Sequence, residues 1–252
     1  MAKKKKATKK KVTLSPALFK LTGVDAKMKT VEKTKKLYYF SEKINSEKAA
    51  KIAATEGADI LGVPAGSIKC GKPSLKYDFY CIYDAALELS FVRVRTQEIG
   101  VNEQVKGTLV GNEVLVPKKG KDVPGQSIQV DIVELFEIKR KDGMVLDGAT
   151  GGPAKAVEPL LKGAGKKTAT AAWLKKSSIG AGKYNSLEKV VKAVAKMAGQ
   201  RPSDAKRVSS HNLTFSKLEG YYIPVYYVSI AAGAKTQVIK VNGINSTVSI
   251  KV

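Results

Sequence analysis

Apolar residues along this chain follow two periods. Leu187, Val190, Val191 and Val194 stand at i, i+3, i+4 and i+7, the spacing of one helix face, in a stretch that opens on Asn185-Ser186 and ends near Gly199. A like opening, Asn45-Ser46-Glu47-Lys48, predicts an earlier helix capped by Asn45 or Ser46 and stopped by Gly57. Each helix is followed by a proline turn, at Pro64 or Pro202, and by an extended stretch starting near Ile68 or Val208. An aromatic strand comes next, Tyr77 to Tyr83 in one passage and Tyr221 to Val228 in the other. Alternation in the second puts Tyr222, Pro224 and Tyr226 on one face and Tyr221, Ile223, Val225 and Tyr227 on the other, one row filling the core and the other open to base stacking or to packing. Pro224 cannot donate to a ladder, which predicts an edge position or a bulge. Further strands are expected over Leu87 to Arg95, Val105 to Val116 and Gln129 to Ile138, and over Thr236 to Val241 and Thr247 to Val252 around an Asn242-Gly243 turn.

Both passages thus read as a helix followed by an antiparallel meander. The Tyr-Tyr-Ile-Pro-Val-Tyr-Tyr-Val strand at 221–228, the Val241-Asn242-Gly243 hairpin and the Asp147-Gly148-Ala149-Thr150-Gly151 turn resemble the PepSY-type modules, in which one helix lies across a curled antiparallel sheet. The resemblance covers roughly Ile44 to Gly151 and Asn185 to Val252, and it implies a binding or regulatory scaffold. The first passage departs from it at Asp78 to Cys81, where a proline is expected, and by an insertion between Gln97 and Val123. The expected fold class is therefore α+β: a basic, largely flexible arm over 1–36, a first module over 37–151, a basic Ala/Gly/Lys linker over 152–184 and a second module over 185–252.

Charge sharpens this picture because it is placed unevenly. The net charge is +23, and Met1 to Lys36 carries +11 while Lys155 to Lys183 carries +6, leaving the stretch Leu37 to Ala154 at −1. Cationic segments flanking a near-neutral part attract polyanions by Coulomb attraction and counterion release. Forty of the 45 basic residues are lysines, which offer point charge without the planar fork that reads bases. The expected function is largely sequence-nonspecific nucleic-acid binding, to DNA or ribosomal RNA. Its candidate residues are Lys3, Lys4, Lys5, Lys6, Lys9, Lys10 and Lys11 in the arm, and Lys166, Lys167, Trp173, Lys175, Lys176 and Lys183 in the linker. Trp173, the one tryptophan, either docks on an apolar face or stacks on a base; Ala169 to Lys176 is expected to form two helical turns around it. The alternative function is an adaptor that binds protein partners on its sheet faces while the arm holds an anionic membrane surface.

Enzymatic chemistry is not expected. Gly163-Ala164-Gly165-Lys166-Lys167-Thr168 has the wrong spacing for a phosphate loop, with Lys167 standing where Ser or Thr is needed. The sole histidine, His211, is expected at a surface or edge, and Glu134 and Glu137 fall on opposite faces of one strand. Asp142-Gly143 reads as a hairpin turn. Cys70 and Cys81 with one histidine make too few ligands for a tetrahedral metal site, so neither metal nor cofactor is expected, and both thiols read as reduced. Val12 to Met28 is broken by polar residues and no run approaches the ~20 apolar residues of a membrane span. The protein reads as cytoplasmic.

Overall fold

The computed structural model describes residues 14–250. In chain order its elements are β1 (Lys29–Glu32), β2 (Lys36–Phe40), α1 (Ser46–Leu61), β3 (Lys69–Cys70), β4 (Ser74–Val101), β5 (Thr108–Val110), β6 (Glu113–Leu115), β7 (Lys118–Lys119), β8 (Gln126–Asp147), α2 (Glu158–Lys162), β9 (Lys166–Thr168), α3 (Ala171–Lys176), α4 (Leu187–Ala198), β10 (Ala205–Ala232), β11 (Lys235–Asn242) and β12 (Val248–Ile250). The class is α+β with strand predominating. Ten strands join one open sheet along the path β12-β11-β10-β4-β8-β7; β1, β2 and β3 also pair with β10, and β9 pairs with β2. β5 and β6 form a separate hairpin. Among the described residues no helix is long and apolar enough to cross a membrane.

The helices start where the capping residues require. Asn45 accepts the Lys48 N–H at 2.9 Å, satisfying one orphan donor of α1. The helix does not stop at Gly57; it ends at Gly62, whose φ of 63° is the left-handed cap that glycine allows. Gly57 is buried, and a Cβ there would sit 2.5 Å from Ile230 Cδ1, so the glycine lets the helix approach the sheet. Ala49, Ala53 and Ala58 extend this small-residue face, which lies against β3 and β11. In α4 the predicted stripe is the buried one, through Leu187, Val190 and Val194, with Ser186 capping Lys189. Full burial of each such side chain favours the fold by about 1.5–3 kcal/mol before entropy is counted.

The chain groups into two compact units. One takes the described residues up to Lys29, Leu87–Lys139 and Gln200–Asn212; the other takes Thr30–Ala86, Arg140–Gly199 and the chain from Leu213 onward. Boundaries at 36, 151 and 184, expected for an arm, two separate modules and a linker, are not boundaries of these units. The long strands β4, β8 and β10 each contribute to both. Local patterning shows where a strand has apolar faces, but partner choice is a long-range matter.

In the first unit Leu89, Phe91, Ala205 and Val208 form the core, with Ala26, Leu87 and Ile138 packed on it. Asp25 belongs to the stretch expected to be flexible, yet its carboxylate accepts the Val208 N–H and the Arg201 Nε–H, each at 2.8 Å. The Val208 N–H above all, then Arg201, holds the Asp25 carboxyl below its ordinary range. Arg93 joins Glu134 at 2.7 Å to Asp204 at 2.9 Å while its guanidinium covers the Phe136 ring at 4.2 Å. Glu98 accepts the backbone N–H groups of Lys121 and Asp122 and the Ser127 hydroxyl, fastening the loop before β8. His211 is buried, not at the surface as its isolated position suggests.

In the second unit β10 packs against other elements on both faces. Tyr226, Val228 and Ile230 face α1, with Ile239 and Val241, whereas Tyr221, Ile223 and Val225 pack with Phe40, Ile82 and Leu161. Both rows of this strand are buried from Tyr221 to Tyr226, and Tyr227 is half-buried. Pro224 is not on an edge strand: residues 219–222 pair in parallel with β2, residues 225–232 pair antiparallel with β11, and the proline falls at the change of partner. Asp142-Gly143 is not a turn but lies inside β8, where Asp142 accepts the Tyr83 hydroxyl at 2.8 Å. A Cβ on Gly143 would meet Asp84 Oδ1 at 2.5 Å, so close strand approach explains that glycine.

The two passages make matching bonds and exchange them. In the turn 147–151, Asp147 Oδ1 accepts the Ala149 N–H, the Gly151 N–H returns to the Asp147 carbonyl, and the Gly148 N–H reaches the Phe79 carbonyl on β4. In the turn 242–246, Asn242 Oδ1 accepts the Ile244 N–H, the Ser246 N–H returns to the Asn242 carbonyl, and the Gly243 N–H reaches the Pro224 carbonyl on β10. The fifth residue has positive φ in both, 79° at Gly151 and 63° at Ser246. The segment entering α1 docks on the second turn through Ile44 N–H to the Gly243 carbonyl, and the segment entering α4 docks on the first through Tyr184 N–H to the Gly148 carbonyl. Likewise Tyr39 pairs in parallel with Tyr222, and Ile179 bridges in parallel to Tyr77. Each helix lead-in therefore rests on the other passage's strand and turn.

Candidate nucleic-acid interface

The stretch 152–184 supplies α2, β9 and α3 to the second unit, so it is built into the fold. β9 pairs with β2, with Tyr39 opposite Lys167 and Phe40 opposite Lys166. Because β2 pairs onward with β10, Lys167, Tyr39 and Tyr222 lie on one rung across three strands. Side chains on a rung share a face. Lys167 Nζ donates to Ser41 Oγ at 3.0 Å, whereas Lys166 Nζ lies 5.1 Å from the Tyr38 ring centroid and 5.8 Å from that of Tyr221. Cations at such distances are attracted to the ring face.

Thr170 caps α3 by accepting the Trp173 N–H at 3.2 Å, which places the indole against this rung. Trp173 stacks on Tyr39 at 4.3 Å, meets the edge of Tyr77 at 4.9 Å and tilts against Tyr222 at 5.5 Å. It remains half-buried. Burial, and then the nearby Glu42 carboxylate, pushes the Tyr77 hydroxyl up to about 12, and burial pushes that of Tyr222 up to about 12. Both rings stay neutral at physiological pH. Lys175 and Lys176, in the last turn of α3, are exposed and favourably placed at the negative end of the helix.

The structure thus brings Lys167 and Trp173 together on one face, beside Tyr39 and Tyr222, with Lys175 and Lys176 one helical turn on, and leaves Lys166 with Tyr38 and Tyr221 on the opposite face. Lys183 is exposed elsewhere, its ammonium 5.3 Å from the Tyr184 ring, beside the turn 147–151. Lys3, Lys4, Lys5, Lys6, Lys9, Lys10 and Lys11 lie outside the described residues. Sequence reasoning missed Tyr38 and Tyr39, although the aromatic run Tyr38-Tyr39-Phe40 beside three lysines was a readable signal.

Around Gly163 to Thr168 a helix precedes and a strand follows, the reverse of a phosphate loop. Glu134 binds Arg93 while Glu137 binds Lys139 at 2.6 Å. Both cysteines are free; burial pushes the Cys81 thiol up to about 12, so it is neutral. No protein-family model matches this chain, and neither a curated protein nor a solved structure matches it.

Proposed function

We propose that this chain is a non-enzymatic, cytoplasmic nucleic-acid-binding protein that contacts DNA or ribosomal RNA largely without regard to sequence, through its lysine-rich N-terminal segment and the stretch 152–184. The observation that carries this reading is the placing of charge, since two stretches hold +17 of the net +23. Lysines bound to phosphates release condensed counterions, and that term supplies most of nonspecific affinity. Lys166, Lys167, Lys175 and Lys176 support it: all four are exposed, and none has a carboxylate partner among the described residues. We read the two exchanged helix-and-strand passages as PepSY-like repeats, supported by their matching turn bonds.

Binding of the full chain and of a form lacking Met1 to Lys11 to duplex DNA, structured RNA and anionic vesicles, each at two salt concentrations, tests the proposal. Truncation should weaken binding equally for unrelated sequences and flatten the log–log salt slope by about 0.7–0.9 for every phosphate that the shortened chain no longer neutralises. Unchanged affinity and slope would make the arm a solubilising tail and leave binding to the stretch 152–184 and the C-terminal part, whereas a preference for vesicles over both nucleic acids would overturn the proposal.

A further inference from the structure

A cleft of about 800 Å³ opens in the second unit, lined by residues of both matching turns and by β4, β10, β11 and β12. That size lies within the roughly 300–1,000 Å³ of small-molecule sites. One part of its wall is a charged group. Asp78 is 7% exposed, accepts the Tyr227 hydroxyl at 2.5 Å and pairs with Lys240 at 3.0 Å. Gly180 comes so near that a Cβ would strike Asp78 Oδ1. Two cations lie over the Tyr227 ring, Lys240 Nζ at 5.2 Å and Lys76 Nζ at 5.3 Å from its centroid. Lys240 is neutralised by Asp78, whereas Lys76 has no carboxylate partner among the described residues. Another part of the wall is apolar, from Val157, Leu160, Val225, Val248 and Ile250.

The turns decide what else the cleft offers. Asp147 Oδ1 is taken by the Ala149 N–H, Asn242 Oδ1 by the Ile244 N–H, Thr150 Oγ1 by the Gly152 N–H, and Asn245 Oδ1 by the Thr247 N–H and hydroxyl. The turns thus engage acceptor oxygens in their own backbone. What remains are donors: the amide NH₂ groups of Asn242 and Asn245, the hydroxyls of Tyr80 and Ser249, and the Lys76 ammonium. Asp147 keeps its second carboxylate oxygen as a charged acceptor.

We propose that this cleft binds a nucleotide carrying a phosphate monoester. The phosphate, rich in acceptors, sits on Lys76 and the neighbouring amide and hydroxyl donors. The base lies along the apolar wall, and an exocyclic amine donates to Asp147. The phosphate monoester belongs either to a free nucleoside monophosphate or to the 5′ end of a strand, and both present the same chemistry. The inference does not depend on the lysine segments that bind polyanion backbones.

Calorimetric titration of the full chain with AMP, adenosine, inorganic phosphate, and a short oligonucleotide bearing either a 5′-phosphate or a 5′-hydroxyl tests it. AMP should bind with Kd below about 1 mM and adenosine at least about tenfold more weakly. Lys76→Gln should cost AMP at least about tenfold in affinity, Lys76→Arg should retain most of it, and neither should alter duplex binding or the thermal midpoint. If the source is a strand end, the 5′-phosphorylated oligonucleotide outcompetes AMP and its 5′-hydroxyl counterpart does not; if it is a free nucleotide, AMP binds at least as tightly as either. No saturable binding of AMP or the phosphorylated oligonucleotide at about 1 mM, or unchanged AMP affinity in Lys76→Gln, overturns the assignment.

Discussion

Trp173 lies flat on Tyr39, with ring centroids 4.3 Å apart and planes inclined by 19°. Tyr39 stands on β2 opposite Tyr222 of β10, while Trp173 stands on the short α3, so one ring pair ties together three stretches distant in sequence. This stacking explains how a lysine- and glycine-rich stretch keeps a fixed course: its few large apolar side chains turn to the sheet, and its lysines are left outside.

Replacing Trp173 with Ala removes the stacking on Tyr39 and the packing on Tyr77 and Tyr222. A fully buried tryptophan would cost about 3–5 kcal/mol, and half-burial lowers the expected loss to about 2 kcal/mol. Urea unfolding followed by circular dichroism measures it. Trp173→Phe should recover more than half. A loss of nucleic-acid affinity in Trp173→Phe without loss of stability would assign the indole to base stacking.

The two matching turns differ in how tightly they are packed. A Cβ on Gly148 would lie 2.5 Å from the Phe79 carbonyl oxygen, whereas one on Gly243 would lie 3.0 Å from that of Pro224. Both are backbone obstacles. Gly148→Ala should therefore destabilise by about 3 kcal/mol and Gly243→Ala by about 1 kcal/mol, the two ends of the overpacking range. Thermal unfolding of the two variants side by side checks the order.

Changing Lys166, Lys167, Lys175 and Lys176 to Gln together should leave the unfolding midpoint nearly unmoved, because exposed lysines without ion pairs add little stability. The same variant should lower the log–log salt slope of duplex binding by up to about 3.6. Filter binding across a salt series reads that slope, and an unchanged value would remove these four lysines from the interface.

Glu98 provides a pH-dependent fastening. The Ser127 hydroxyl first, then the N–H groups of Asp122 and Lys121, hold its carboxyl down at about 2, against an ordinary 4.5. A depressed carboxyl stabilises the fold fully above the unfolded value and loses that contribution as pH falls through the folded one. Glu98→Gln should therefore show a constant deficit in urea midpoint from pH 7 to about 5, shrinking between about 4.5 and 2. A deficit that grows on acidification would contradict the assignment.

Much of the local structure was legible. Asn45 and Ser186 announced their helices, Leu187, Val190 and Val194 marked the buried stripe of α4, and Asn242-Gly243 marked a turn. Gly57 and Gly143 misled for one reason: each is a glycine because a neighbour comes close, at Ile230 and at Asp84, and neither neighbour is near in sequence. Of the candidate binding residues, the lysines and Trp173 could be named from composition, but Tyr39 and Tyr77, which hold the indole, could not be paired with it.

The sequence by itself determined helix starts, strand alternation and the segregation of charge, because caps, two-residue periods and runs of lysine act within a few residues. Only the tertiary structure decided that the segment leading into each helix docks on the other passage's turn, that β10 packs against other elements on both faces, and that Lys76 and Asp78 share a cleft with Asp147 and Asn242. Glycine carbonyls at 148 and 243 present the same acceptor to any incoming N–H. Which segment reaches which turn depends on chain connectivity and on burial summed over the whole unit, and no local pattern encodes that choice.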